Sequence, residues 1–61
     1  MKPTITEHWT PLTNNKVSTL AGTVQVFQTK IKCEEYIRHT YTVRIRQLAG
    51  IKPGKISITI L

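Results

Sequence analysis

Cys33 is the only cysteine in this chain of 61 residues, which excludes a disulfide within the chain. A domain of this length buries only about 60% of its unfolded surface, so it commonly needs a disulfide, a metal or a partner subunit for stability. His8 and His39 lie far apart in the sequence, and no Cys/His pair has zinc-ligand spacing, so neither a metal nor another cofactor is expected. Self-association remains, and the sequence therefore predicts a homodimer.

The single thiol is also typical of a reducing compartment. The N-terminal residues include Lys2 but no apolar segment like that of a signal peptide. Apolar runs are far shorter than the roughly 20 residues needed to span a bilayer. These features predict a cytoplasmic protein without membrane contact.

Charge is the strongest compositional feature. Nine Lys and Arg residues against three Asp and Glu residues give a net charge of +6 and a pI of about 10.0. Such an excess favours an anionic partner, with nucleic acid first and DNA ahead of RNA. A net charge of this size also keeps a small domain soluble, and an acidic protein surface is an alternative partner.

The clearest periodicity runs from Tyr36 to Gln47, where apolar and polar residues alternate without a break. This pattern predicts a β-strand, because a helix would scatter its arginines around the circumference. Strands are also predicted from Thr23 to Cys33 and from Lys55 to Leu61. The apolar face of the central strand would carry Ile37, His39, Tyr41, Val43 and Ile45.

The remaining segments predict turns and edges. Residues 1–15 are expected to form an extended N-terminal arm or an edge strand, with Pro11 at an edge or in a loop. Asn14-Asn15 predicts a turn, and a short β-run follows from Val17 to Leu20. Residues 16–61 would form one small all-β domain. Its sheet must either close into a small SH3-like barrel or pair with a second subunit.

A basic surface follows from these strands. If Glu34-Glu35 forms the turn of a hairpin, five cations lie on one face of the sheet. Guanidinium groups bind phosphates through paired hydrogen bonds, and a two-stranded ribbon can enter the major groove of DNA. A solvated outer sheet face is the competing interpretation. The five residues are Lys30, Lys32, Arg38, Arg44 and Arg46.

The segment Leu48–Gly54 contains Gly50 and Pro53-Gly54, which favour a type II turn. Together with the residues before it, this segment resembles the SpoVT/AbrB superfamily of swapped-hairpin proteins, which includes AbrB-type regulators, MazE-type antitoxins and SymE-like toxins. The similarity extends over about residues 45–61. The matching residues are Ile45, Arg46, Leu48, Gly50, Ile51, Lys52, Pro53 and Gly54.

The resemblance implies an intertwined homodimer that presents arginines to nucleic acid. It also implies a short helical turn at about Val43–Ala49, where the alternation predicts a strand, and both possibilities stay open at this point. Thr42 occupies the position of the proline that begins this turn in the superfamily, and Lys55 occupies the position of its acid. Lys52 and Lys55, at the Gly/Pro turn, join the candidate nucleic-acid-binding residues.

No combination of residues indicates catalysis. His39 falls on the apolar strand face, and Cys33 is expected to be a small buried hydrophobic residue. Glu34 and Glu35 would point to opposite faces of a strand, so they form no carboxylate pair. The sequence predicts a non-enzymatic DNA-binding regulator or toxin–antitoxin component. The alternative is a protein-interaction module, such as a phage or host-factor inhibitor or a small assembly subunit, that binds an acidic protein surface.

Overall fold

A computed structural model describes residues 2–60, which form a three-stranded antiparallel sheet with two short helices. The predicted β-dominated fold is confirmed at this level. Met1 and Leu61, at the ends of the predicted arm and last strand, lie outside the described residues. The strand order is β2-β1-β3. The elements are β1 (Thr4–Thr13), β2 (Lys16–Val17), α1 (Lys30–Thr40), α2 (Val43–Ala49) and β3 (Ile51–Ile60).

Strand β1 lies at the centre of the sheet, so the predicted edge position for this segment is wrong. It pairs with β3 over ten residues, from Thr4 opposite Ile60 to Thr13 opposite Ile51. The predicted turn at Asn14-Asn15 is confirmed, since both residues have positive φ, 51° and 66°. This turn leads into β2, which is only two residues long. Among residues 2–60 the sheet is open, so the SH3-like barrel does not form.

Pro11 has no N–H, and the hydrogen-bond pattern of the sheet allows it in this central strand. Trp9 exchanges both of its backbone hydrogen bonds with Phe27, each at 2.7 Å, so its polar groups point away from β3. Antiparallel pairs alternate between hydrogen-bonded and non-hydrogen-bonded. Pro11 therefore faces Pro53 in a non-hydrogen-bonded pair, where neither ring removes a donor from the β1–β3 ladder. The predicted type II turn at Pro53-Gly54 is wrong, because both residues lie within β3.

The strands predicted at 23–33 and 36–47 are wrong, because much of this region is helical. The Thr29 side chain caps α1 by accepting a hydrogen bond from the Lys32 N–H at 3.2 Å. Cys33 and Ile37, one turn apart, form the buried side of the helix. The Glu34-Glu35 pair lies within α1, so it is not the predicted hairpin turn.

Residues 43–49 form the short helix α2 and not the strand that the alternation predicts. Thr42 caps α2 by accepting a hydrogen bond from the Ile45 N–H at 3.2 Å. Gly50 ends it in the left-handed conformation at φ 61°, and its N–H donates to the Arg46 carbonyl. Glycine is favoured at this position because it adopts positive φ without a steric penalty.

A very small core lies between α1 and one face of the sheet. Its buried hydrophobic residues are Cys33, Ile37 and Ile51. The Phe27 and Tyr36 rings pack beside them with centroids 5.1 Å apart. The partly buried residues around this core are Trp9, Phe27, Tyr36, Tyr41 and Ala49.

The buried thiol leads to a prediction. Desolvation by burial raises the pKa of Cys33, and the carboxylate of Glu34 raises it further. The thiolate is the reactive species, so native Cys33 should react with iodoacetamide at pH 8 at least about tenfold more slowly than the urea-unfolded chain. Since Cys33 is the only thiol, the modified mass reports this site alone. Equal rates in the two states would show that Cys33 is not buried in solution.

Candidate nucleic-acid interface

Three cationic side chains from three different elements line one open pocket. They are Arg38 of α1, Arg46 of α2 and Lys52 of β3, and the pocket has a volume of about 240 Å³. The αL residue Gly50 connects α2 directly to β3, and Arg46 and Lys52 on either side of it line the same pocket. We call these three residues and their pocket the cationic groove.

A second concave surface continues the groove. This pocket, of about 360 Å³, also contains Arg46 and Lys52, and it extends to the side chains of Asn14 and Gln47. Asn14 belongs to the β1–β2 turn, which lies against Gly50: a Cβ placed on Gly50 would be 3.0 Å from the Asn14 Oδ1 atom. Arg46 and Lys52 therefore lie between two pockets, with amide groups on one side and Arg38 on the other.

The guanidinium of Arg46 is incompletely hydrogen-bonded. Within residues 2–60, its Nε is buried and has no hydrogen-bond partner. A buried donor without an acceptor costs about 1–3 kcal/mol, but an anion could reach this atom only if the Arg46 side chain moved, because the atom has no exposed surface. Guanidinium and ammonium groups together are suited to phosphate or carboxylate oxygens.

Glu34 makes the groove asymmetric, since it lines the first pocket but not the second. Its carboxylate, which lies 3.8 Å from Lys30 Nζ, accepts hydrogen bonds and repels an anion. The most favourable place for a phosphate is therefore beside Arg46 and Lys52, on the side of Asn14.

The other four predicted binding residues do not join the groove. Lys30 and Lys32 form exposed ion pairs with Glu34 and Glu35 on α1, at 3.8 and 3.9 Å. Lys55 pairs with Glu7 of β1 at 2.6 Å. Arg44 is exposed and lines neither pocket.

The five-residue basic sheet face is therefore wrong, because its members lie on two helices. Arg44 and Arg46, expected side by side on a strand, are separated by the turn of α2. Four polar residues that line one of the two pockets were not identified as binding residues from the sequence: Asn14, Asn15, Glu34 and Gln47. Asn14-Asn15 and Glu34-Glu35 were recognised only as turns, and no local pattern indicates their proximity to the arginines.

No group of three His, Cys, Asp or Glu side chains within residues 2–60 could hold a metal ion. Neither α1 nor α2 is long and apolar enough to cross a membrane.

Comparison with known proteins gave no match among protein-family models, curated protein sequences or solved structures. The interpretation of the cationic groove therefore depends on its own geometry and charge.

Proposed function

We propose that the chain is a small non-enzymatic nucleic-acid-binding protein, with DNA as the preferred partner, and that the cationic groove holds backbone phosphates. The observation that carries the proposal is the convergence of Arg38, Arg46 and Lys52 on one open pocket. Phosphate contacts supply most of the affinity of non-specific binding. A site that binds phosphates needs cations in excess of its own acids.

The distribution of ion pairs supports this excess. The three acids of the chain pair with three lysines, as Glu7–Lys55, Glu34–Lys30 and Glu35–Lys32. Within residues 2–60, none of the three arginines forms an ion pair. The net charge of +6 is thus concentrated on cations that are free to bind an external anion.

The resemblance of residues 45–61 to the SpoVT/AbrB superfamily supports the same proposal. On this resemblance, the proposed role is that of a transcription regulator or toxin–antitoxin component that acts as a homodimer of the swapped-hairpin type. Helix α2, with β3 following directly after Gly50, agrees with the short helical turn that the resemblance implies. This assignment is part of the proposal and depends on the sequence similarity.

The test compares two arginines on the same helix. Arg46→Gln should weaken binding to a random-sequence DNA duplex about tenfold or more, since a hydrogen bond to a charged group contributes roughly 1.5–3 kcal/mol. The slope of log affinity against log salt should fall by about 0.9 for each lost phosphate contact. Lys52→Gln should also weaken DNA binding and lower the salt slope. Fluorescence anisotropy between about 50 and 200 mM salt measures both quantities.

Arg44→Gln is the matched control, because it removes the same charge from α2 at a position outside the groove. Its affinity should stay within about threefold of the unmodified chain. An equal loss in the Arg44 and Arg46 variants would mean that net charge, rather than the groove, determines binding. If the unmodified chain binds neither DNA nor RNA at about 50 mM salt, the alternative function is favoured, in which the chain binds an acidic protein surface.

A further inference from the structure

The first pocket of the cationic groove combines apolar side chains with a carboxylate. Ile37, Ile51 and Pro53 line it together with Glu34 and the three cations. Ile37 and Ile51 are buried, so they form the floor of the pocket, and the charged side chains surround it. A site that holds only phosphates needs neither an apolar floor nor an acid, which repels phosphate oxygens. This pocket is better suited to a flat, largely apolar group that also carries hydrogen-bond donors.

The carboxylate of Glu34 is available to such a ligand. Its side chain is 39% exposed, and its ion pair with Lys30 is 3.8 Å long, beyond the roughly 3.2 Å limit of a good N–H···O hydrogen bond. Exposed ion pairs contribute little stability, so a ligand can compete with Lys30. An ionised carboxylate has two acceptor oxygens and no donor. It therefore selects a group that presents two neighbouring donors.

Guanine is the nucleobase that presents two such donors. Its N1–H and its N2 amino group lie side by side on the Watson–Crick edge, whereas adenine, cytosine and thymine place an acceptor beside each donor there. Its O6 and N7 atoms accept hydrogen bonds, for which arginine and lysine are the usual partners. In a duplex the N1–H and the amino group are paired with cytosine. The carboxylate can reach both donors only on an unpaired base, as in the recognition of single strands.

We infer that the first pocket binds an unpaired guanine of single-stranded nucleic acid, and that Glu34 selects this base. The pocket volume of about 240 Å³ is below the roughly 300–1,000 Å³ of pockets for drug-sized ligands, which is consistent with a single base. The base packs on the apolar floor, and the cations of the groove donate to its O6. The adjoining phosphate lies beside Arg46 and Lys52 in the second pocket, which Glu34 does not line.

This inference rests on the proposed function and adds a base preference to it. Phosphate contacts alone carry no sequence information. If the chain binds duplexes and single strands of every sequence equally well, the guanine pocket is excluded and the proposed function stands. If the chain binds no nucleic acid at about 50 mM salt, both are wrong.

The experiment uses labelled oligothymidylates that differ only in the base at one central position. Fluorescence anisotropy at about 50 mM salt measures their affinity for the full chain. The strand with guanine should bind about tenfold or more tightly than those with adenine, cytosine or thymine, because hydrogen bonds to a charged group are strong. Hypoxanthine lacks the N2 amino group but keeps the purine ring, and it should bind at least about threefold more weakly than guanine. Equal affinity for all these strands would overturn the inference.

Glu34→Gln should have two opposite effects. Loss of the negative charge should tighten binding to the strand without guanine, whereas the preference for guanine should fall to less than about threefold. A carboxylate that acts only through its charge would change the affinity for every strand by the same factor. An unchanged guanine preference in this variant would therefore also overturn the inference.

Glu35→Gln is the matched control. It removes the same charge from the adjacent position of α1, and Glu35 does not line the pocket. Its preference for guanine should equal that of the unmodified chain. An equal loss of preference in the Glu34 and Glu35 variants would show that the pocket does not select the base.

Discussion

Ile37→Ala is expected to remove a large part of the stability of the chain. Ile37 is 3% exposed and is one of three buried hydrophobic residues within residues 2–60. Truncating a buried isoleucine to alanine costs about 2–5 kcal/mol. Stability of roughly 0.05–0.15 kcal/mol per residue gives a domain of 61 residues only about 3–9 kcal/mol in total. The substitution therefore removes much of the free energy of unfolding, which far-ultraviolet circular dichroism during urea titration measures.

The matched control for this variant is Ile31→Ala. Ile31 lies on the same helix, but it is 66% exposed, and surface substitutions usually change stability by less than about 0.5 kcal/mol. Both variants must be compared at one protein concentration, because self-association would make stability depend on concentration. Identical urea midpoints for the two would show that α1 does not bury Ile37 against the sheet.

The parts of the fold that the sequence predicted correctly depend on local chemistry. Asn14-Asn15 forms its turn because asparagine tolerates positive φ. Ile56, Ile58 and Ile60 alternate within β3, where β-branched side chains fit the pleated surface. In both segments the local pattern and the tertiary contacts favour the same conformation.

The failure at residues 36–47 has a specific cause. Ile37 and Tyr41 satisfy the two-residue period of the predicted strand, but they also continue a four-residue spacing that starts at Cys33. Packing against the sheet selects the helical pattern, and the caps at Thr29 and Thr42 define where the two helices begin. Threonine is common both in strands and at helix N-caps. The threonines of this segment therefore favoured the strand prediction, although Thr29 and Thr42 are helix N-caps.

The candidate site was predictable in composition but not in arrangement. The sequence predicted Arg38, Arg46 and Lys52 among seven candidate binding residues, four of which lie outside the groove. Their convergence requires α1, α2 and β3 to meet at the Gly50 reversal, which depends on contacts distant in the sequence. Asn14 lines the neighbouring pocket only because the β1–β2 turn packs against that reversal.

Gly54→Ala is expected to destabilise the chain by about 1–3 kcal/mol, the usual range for overpacking. Where there is space for the added Cβ, replacing glycine by alanine in a strand stabilises the folded protein by about 0.4–1 kcal/mol, because alanine restricts the unfolded chain more than glycine does. Here the Leu12 side chain lies across Gly54, so that a Cβ would be 2.5 Å from Leu12 Cγ and in closer contact with Leu12 Cδ1. Gly54 thus provides space for a half-buried leucine on the neighbouring strand.

A double-mutant cycle separates this contact from the effect of glycine on the unfolded chain. Leu12→Ala removes the obstructing atoms, and in that background Gly54→Ala should become neutral or stabilising by up to about 1 kcal/mol. The coupling between the two substitutions should therefore exceed about 1 kcal/mol, as expected for side chains in direct contact. Urea denaturation of the four proteins at one concentration gives the required free energies of unfolding. Additive effects would show that the Leu12 side chain does not cover Gly54.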